Sequence, residues 1–235
     1  MSDAPREAVR VLEDRRRFLM RAAAGTAIAA LGGLWYLSRE NDPRAKQRLP
    51  DGRMRLPPGQ RLLSSLRPMG GEPGDARPSA WHLNVHGAVE RPFTLDFAAL
   101  LAMPQVEQHC DVHCVTGWTV FDSRWSGVRI ADLAERAGVR PEARHVIFEA
   151  AHGYTANVLL AEALAPDSLV VHQYEGDPIP EPNGPPVRGL VPRLYFWKSA
   201  KWLTGIRFVA DDEPGYWEVR GYHNHADPWR EERRG

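Results

Sequence analysis

Two His-Cys pairs, His109-Cys110 and His113-Cys114, lie four residues apart in the run Gln108-His109-Cys110-Asp111-Val112-His113-Cys114. Thiolate sulfur and imidazole nitrogen are the donors that zinc, copper and iron favour. Structural zinc sites usually draw ligands from two separated clusters, and here there is one. On an extended strand positions 110 and 114 share one face and 109 and 113 the other, so the four converge only if the chain turns. Cys110 and Cys114 are the only cysteines in the chain, which excludes a disulfide framework. No C-x-x-C-H haem-attachment sequence is present. By residue type alone Cys114 is either a packed thiol or a metal ligand. A non-catalytic metal-binding module made of His109, Cys110, His113 and Cys114 is the competing functional reading.

A second set of chemically capable residues follows downstream. Asn183-Gly184-Pro185-Pro186-Val187-Arg188 precedes a short apolar run, and Tyr195-Phe196-Trp197-Lys198-Ser199-Ala200-Lys201-Trp202 comes soon after. Arg188, Lys198 and Lys201 stand among turn residues and aromatics, a composition suited to a phosphate and a flat heterocycle. Surface cations lying along an aromatic ladder would have the same composition.

The elements that must carry these residues are short. Trp81 to Gly87 alternates with period two and ends at glycine, which predicts a strand and turn. Pro92 to Leu95 reads as another strand, followed by a helix from Phe97 to Leu101 capped by Asp96. Val128 to Ile130 leads into a helix over Ala131 to Ala137, closed by Gly138. His145–Ala150 and Tyr154–Val158 flank His152-Gly153 as a hairpin. Leu169–Tyr174, Val187–Val191 and Trp202–Val209 read as further strands. This mixture predicts a strand-rich α+β fold in a single folded domain.

Thirty basic and thirty acidic residues cancel, so no global field draws the chain to nucleic acid. Neither G-x-G-x-x-G nor a Walker A sequence occurs, which counts against a Rossmann or P-loop nucleotide site. Twenty prolines and twenty glycines point to many turns. The eight tryptophans shape either a pocket or the core.

At the N-terminus, Asp14-Arg15-Arg16-Arg17-Phe18-Leu19-Met20 precedes a weakly apolar run from Ala22 to Leu37. The run is shorter than the roughly 20 strongly apolar residues of a spanning helix. It resembles a twin-arginine export signal, although Asp14 stands where Ser or Thr is usual. Residues 1–37 are therefore read as a twin-arginine signal or N-terminal membrane anchor, 38–61 as a linker and 62–235 as the functional domain. The expected location is the periplasm, or the outer face of the cytoplasmic membrane if the segment stays attached.

Taken in order, the blocks from about Leu63 to the C-terminus resemble the molybdopterin-binding domain of the sulfite oxidases and the protein-methionine-sulfoxide reductase catalytic subunits. The likeness is carried by Trp81 to Pro92, by His113-Cys114-Val115-Thr116-Gly117-Trp118 and Trp125-Ser126-Gly127-Val128, and by Glu175 to Pro180. The Asn183–Arg188 block, Lys201-Trp202-Leu203 and the tail Gly221 to Trp229 complete it. The resemblance implies a Mo-molybdopterin cofactor with Cys114 as the thiolate on molybdenum and His113 beside it. It implies pterin and phosphate contacts from Asn183, Arg188, Ser199, Ala200 and Lys201. Arg67 falls in a segment that approaches the active site, and Thr116 lies two residues beyond the metal cysteine. The implied reaction is two-electron oxygen-atom transfer on a small oxyanion or an S- or N-oxide. Electrons would pass to or from a separate redox partner, such as a membrane haem protein.

Three departures matter. Thr116 stands where the reductase branch carries Glu, and a neutral hydroxyl can only share a hydrogen bond. Glu149-Ala150 occupies the region of a Thr contact in that branch. The chain also ends before the dimerisation domain of the sulfite oxidases would begin, which leads to the expectation of a monomer. Cys110 is expected to be a packed thiol, and His223 and His225 to cap or pack.

Overall fold

The computed structural model describes residues 42–235. The export or anchor segment read over 1–37 lies outside the described residues. The chain divides into two compact units, Met1–Lys46 and Gln47–Gly235. Of the first, the described part is a single 3-10 turn, Pro43–Lys46. Among the described residues no helix is long and apolar enough to cross a membrane.

The larger unit contains two sheets. The first joins β1 (Arg61–Leu63), β4 (Val106–Cys114), β5 (Trp118–Arg129), β8 (Leu169–Tyr174), β9 (Asp177–Pro178) and β10 (Arg188–Leu190). The second has the order β3 (Phe93–Asp96), β2 (His82–Gly87), β11 (Leu203–Val209), β6 (His145–Ala150), β7 (Thr155–Leu159). Three short helices complete the unit: α1 (Phe97–Leu101), α2 (Ile130–Ala137) and α3 (Leu160–Ala163). The strand-rich α+β expectation holds.

Local chemistry accounts for most of these boundaries. Asp96 leaves β3 in extended conformation and its carboxylate accepts from Ala99 N at 2.7 Å, so helix α1 starts there. Helix α2 buries Ile130, Leu133, Ala134 and Ala137, one face at 3.6-residue spacing. It stops where Gly138 takes a left-handed φ of 65°. The hairpin at residue 152 forms as expected, with His152 itself in the left-handed region at φ 58°.

The period-two readings missed the hairpin of β4 and β5, the longest in the protein. Its alternation is broken by a register shift within the hairpin between Cys110 and Val112 and by another between Ser126 and Gly127, where β5 pairs with β8. At the first shift Asp122 takes a φ of 55°, the mark of a bulge. At the second the backbones close in, so that a Cβ on Gly127 would stand 2.0 Å from Val170 O. Glycine is required there by contact rather than by conformation.

The 38–61 stretch does not behave as one linker, because residues from Gln47 belong to the larger unit. Arg55 grips Asp111 through two 2.7 Å hydrogen bonds, donates to Asp122 and stacks 4.2 Å from the centre of Phe121. Residues 61–63 then pair in parallel with 118–120. This segment thus braces the bulge of the hairpin that ends at Cys114.

Two apolar clusters form the core. The larger fills the space against the second sheet and α2, through Val85, Leu133, Phe148, Ile206 and Phe208. The smaller lies on the first sheet and contains Cys114, Trp118, Trp125, Val171, Ile179 and Leu190. Cys114 therefore sits at the end of a strand with apolar packing behind it.

Candidate active site

Cys114 ends β4 and opens a tight turn to Trp118, in which Gly117 N donates to Cys114 O at 3.0 Å and Gly117 has a φ of 88°. The turn carbonyls are held from outside. Gln60 Nε2 donates to Cys114 O at 3.1 Å, and Arg61 N donates to Gly117 O at 3.0 Å. Arg233 donates to Val115 O. The thiol is 5 % exposed, and its Sγ lies 3.2 Å from the hydroxyl of Thr116. Burial pushes the thiol pKa up, while the Thr116 hydroxyl and amide and the charge of Arg233 act against that rise.

The same turn brings in the segment around residue 69. Thr116 Oγ1 is 4.0 Å from Met69 Sδ. The adjoining carbonyls of Met69 (3.5 Å) and Gly70 accept from Lys201 Nζ, as does Pro182 O at 3.2 Å. Met69–Gly70 thus links the Cys114 turn to the Lys201 segment. Arg67, two residues before Met69, is exposed.

Arg188 is the other centre. It is 1 % exposed and its guanidinium donates to the carbonyls of Asn183 (2.8 Å), Ser199 (2.7 Å) and Gly189 (3.3 Å). It also stacks 4.0 Å from the ring centre of Phe196. Among the described residues no carboxylate forms an ion pair with Arg188 or with Lys201. Burial pushes Arg188 down to about 9, still charged at neutral pH. Burial and the neighbouring Arg188 charge push Lys201 down to about 8. Gly184 is needed beside them: at φ 93°, a Cβ there would come within 2.5 Å of Lys201 Cβ.

The expected contact residues are therefore gathered, several of them through their backbone. Asn183 and Ser199 present carbonyls to Arg188, and the Ser199 hydroxyl accepts from Val191 N at 2.9 Å. Ala200 is buried and its carbonyl accepts from Gly189 N at 2.9 Å. His113 packs edge-on to Trp229 at 4.9 Å, with Nδ1 2.9 Å from the Thr119 hydroxyl. Burial pushes its pKa down to about 4, so the ring is neutral. Thr119 Oγ1 donates to Gln60 Oε1 at 3.4 Å, so the ring lies behind the group that holds the Cys114 carbonyl.

Two sequence-level expectations need correction. Lys198 does not join the phosphate-ready cations, because its ammonium is fully buried 2.7 Å from Glu218 Oε1. The four-residue His/Cys module also fails. His109 faces outward to Glu107 at 3.1 Å, and among the described residues no group of three or more His, Cys, Asp or Glu could hold a metal ion. Cys110 is a part-buried thiol whose pKa burial pushes up, in keeping with a packed role. His223 Nδ1 accepts from His225 N at 3.1 Å, so that residue caps the tail.

Gln60, Met69 and Arg233 were not legible as site residues. Gln60 and Arg233 reach the Cys114 turn from 54 and 118 residues away in sequence.

The donor set fits a metal–pterin group with a phosphate. It offers one soft sulfur, two cations without carboxylate partners and unused indole donors. The ring nitrogens of Trp118 and Trp202 are buried without a hydrogen-bond partner. Trp118 pairs in register with Cys114, and Lys201 Nζ lies 4.4 Å over the Trp202 ring. Buried donors in native proteins are almost always satisfied, so each of these two indoles has room for an acceptor from a bound group.

Residues 69–217 match the model of the oxidoreductase molybdopterin binding domain. The chain is 44% identical over 190 residues to the uncharacterized oxidoreductase YuiH of Bacillus subtilis, covering 80% of this chain and 96% of that protein. It is 30% identical over 176 residues to the protein-methionine-sulfoxide reductase catalytic subunit MsrP of Ralstonia nicotianae, covering 66% of this chain. That match spans 53% of the reductase subunit, about half its length. In fold it resembles the sulfane dehydrogenase SoxCD of Paracoccus pantotrophus, with a TM-score of 0.54, 19% identity, and coverage of 58% of this chain and 40% of that one. The chain belongs to the molybdopterin-binding oxidoreductase family that includes the sulfite oxidases, and it is an oxidoreductase with a Mo-molybdopterin cofactor.

Proposed function

We propose that this oxidoreductase transfers an oxygen atom to or from an S- or N-oxide or a small oxyanion, and that a neutral sulfoxide is its preferred substrate. The observation that carries the preference is the lining around Cys114: a Thr116 hydroxyl 3.2 Å from the sulfur, itself 4.0 Å from the Met69 thioether. A hydroxyl can donate to a sulfoxide oxygen, and the uncharged thioether beside it suits a neutral sulfur substrate better than an anion.

In this reading Cys114 holds the metal and Arg188 and Lys201 face the cofactor's phosphate. Asn183, Ser199 and Ala200 fix Arg188 and its strand. His113 backs the turn, and the exposed Arg67, two residues before Met69, would meet an anionic substrate. The cofactor supplies the two-electron redox change. In balance, a sulfoxide takes up two electrons and two protons and leaves as a thioether and water. Thr116 has no proton to give at neutral pH, so it orients the oxygen by a hydrogen bond and the protons come from solvent.

The electrons come from a separate redox protein. The relative in Ralstonia is itself named a catalytic subunit, which supports such a division of labour. The Arg15-Arg16-Arg17-Phe18-Leu19 sequence supports export of the folded chain by the twin-arginine route, with residues 1–37 as signal or tether. A membrane haem protein would then be within reach.

The test is a parallel assay of sulfoxide reduction with an artificial electron donor and of sulfite oxidation with an artificial acceptor. Wild type is expected to favour the sulfoxide, and Thr116→Val to lose roughly tenfold in kcat/KM for it, the value of one hydrogen bond to a reacting oxygen. Faster sulfite oxidation, or an unchanged Thr116→Val enzyme, would refute the sulfoxide assignment.

A further inference from the structure

The match to the domain model ends at residue 217, and the chain continues into a tail that returns to the Cys114 turn. The tail is fixed along its length. Tyr195 N donates to Ala226 O at 2.9 Å, and His225 is held between Glu162 and Glu232, each at 2.8 Å. Trp229 Nε1 donates to Met54 O at 2.7 Å while its ring meets His113. Tyr222 and Arg234 form an antiparallel bridge, so the last residues fold back on the tail's own start.

This frame delivers one side chain. Arg233 donates through Nη1 to Val115 O and through Nη2 to Gly59 O at 3.5 Å. Its guanidinium lies 5.3 Å from the centre of the Tyr195 ring and 3.7 Å from Glu231. Val115 O belongs to the peptide that joins Val115 to Thr116, one residue past the cysteine, so holding it fixes the backbone of the tight turn from which both side chains project. A planar fork fixes the turn to the adjacent Gly59 strand-entry loop in a way that a single ammonium does not.

We propose that Arg233 is a positioning residue for the active-site turn: its fork locks the Val115 peptide and thereby the aim of the Cys114 sulfur. The part concerning the metal rests on Cys114 being the molybdenum ligand. The locking of the turn does not.

The experiment compares purified holoenzyme of wild type, Arg233→Gln, Arg233→Lys and the tail control Arg230→Gln, whose side chain is 71% exposed. Three quantities are read: molybdenum per chain, the Mo(V) paramagnetic resonance spectrum, and amide hydrogen exchange at Gly117. In Arg233→Gln, exchange at Gly117 is expected to rise about tenfold, the value of a charge-assisted hydrogen bond. The Mo(V) g-values should shift while molybdenum content and melting temperature hold. Arg233→Lys should fall between, and Arg230→Gln should match wild type. Wild-type exchange and g-values in Arg233→Gln would overturn the proposal. If that variant does not fold, Arg233→Lys decides, because a wild-type spectrum and exchange rate in it contradict a role for the fork. A wild type without molybdenum would remove the site assignment, and Gly117 exchange alone would then decide the role of Arg233.

Discussion

Two buried cations ten positions apart, Arg188 and Lys198, are treated in opposite ways. Lys198 lies in a complete cage: Glu218 Oε1 at 2.7 Å, Asn157 Oδ1 at 2.7 Å, and the carbonyls of Asn157 (2.9 Å) and Asn224 (2.6 Å). Arg188 is bonded to neutral carbonyls and stacked on an aromatic ring, and its charge in turn disfavours that of the neighbouring Lys201. A buried charge is tolerated only when something balances it. For Lys198 the balance is inside the chain. For Arg188 and Lys201 no carboxylate provides it among the described residues, and in the proposed site the phosphate of the pterin cofactor would supply the missing negative charge.

The comparison can be broken from its compensated side first. Lys198→Met strands the Glu218 carboxylate, whose side chain is 2% exposed, and is expected to cost about 3–5 kcal/mol of folding stability. Urea unfolding should show the same loss with and without cofactor. A loss seen only in the loaded protein would move Lys198 to the cofactor's side.

Lys201→Met should behave in the reverse manner. In the proposed site it would remove a charge-assisted contact to the phosphate, so retention of the cofactor should weaken by roughly 10- to 100-fold. Stability of the cofactor-free protein should fall by less than about 1 kcal/mol, because only hydrogen bonds to carbonyls are lost. Pterin release on dilution and urea midpoints measure the two effects. Unchanged retention would remove Lys201 from the phosphate site.

A smaller effect appears in pH. In the folded protein Lys201 is lowered from 10.5 to about 8. Between those values the unfolded chain holds the proton and the folded chain has released it, so this group makes stability rise with pH. Below about 8 both states are protonated and the group adds no slope. The melting temperature of cofactor-free wild type should therefore gain on Lys201→Met as pH passes from 8 to 10.5. A bound phosphate holds the ammonium charged and should abolish that gain. Parallel curves for the two cofactor-free proteins would contradict the shift.

Much of this architecture could be read from local sequence, because local rules govern it. Asp96 capped its helix, Gly138 ended the next one, and the runs at 82–87, 145–150, 169–174 and 203–209 formed strands. Cys114, Arg188 and Lys201 could be named as candidates from residue type and order, but the turn that Cys114 opens could not. The β4–β5 hairpin was not legible, since one register shift within it and another where β5 meets β8 destroy the period on which strand recognition depends. Nor could sequence separate Lys198 from Lys201, three residues apart among the same aromatics. The difference is made by Glu218, twenty residues downstream, and appears only once the chain has folded. Gln60 and Arg233 escaped for the same reason, as contacts fixed by tertiary structure and not by neighbours in sequence.

The claim on which the rest depends is that the metal of this oxidoreductase is held by Cys114 and its cofactor by Arg188 and Lys201. X-ray absorption at the molybdenum edge, on wild type and Cys114→Ser with pterin content measured on the same samples, tests it most directly. The account predicts that the variant keeps pterin, through the two cations, and loses one sulfur from the shell around molybdenum. An unchanged sulfur shell in Cys114→Ser would contradict it.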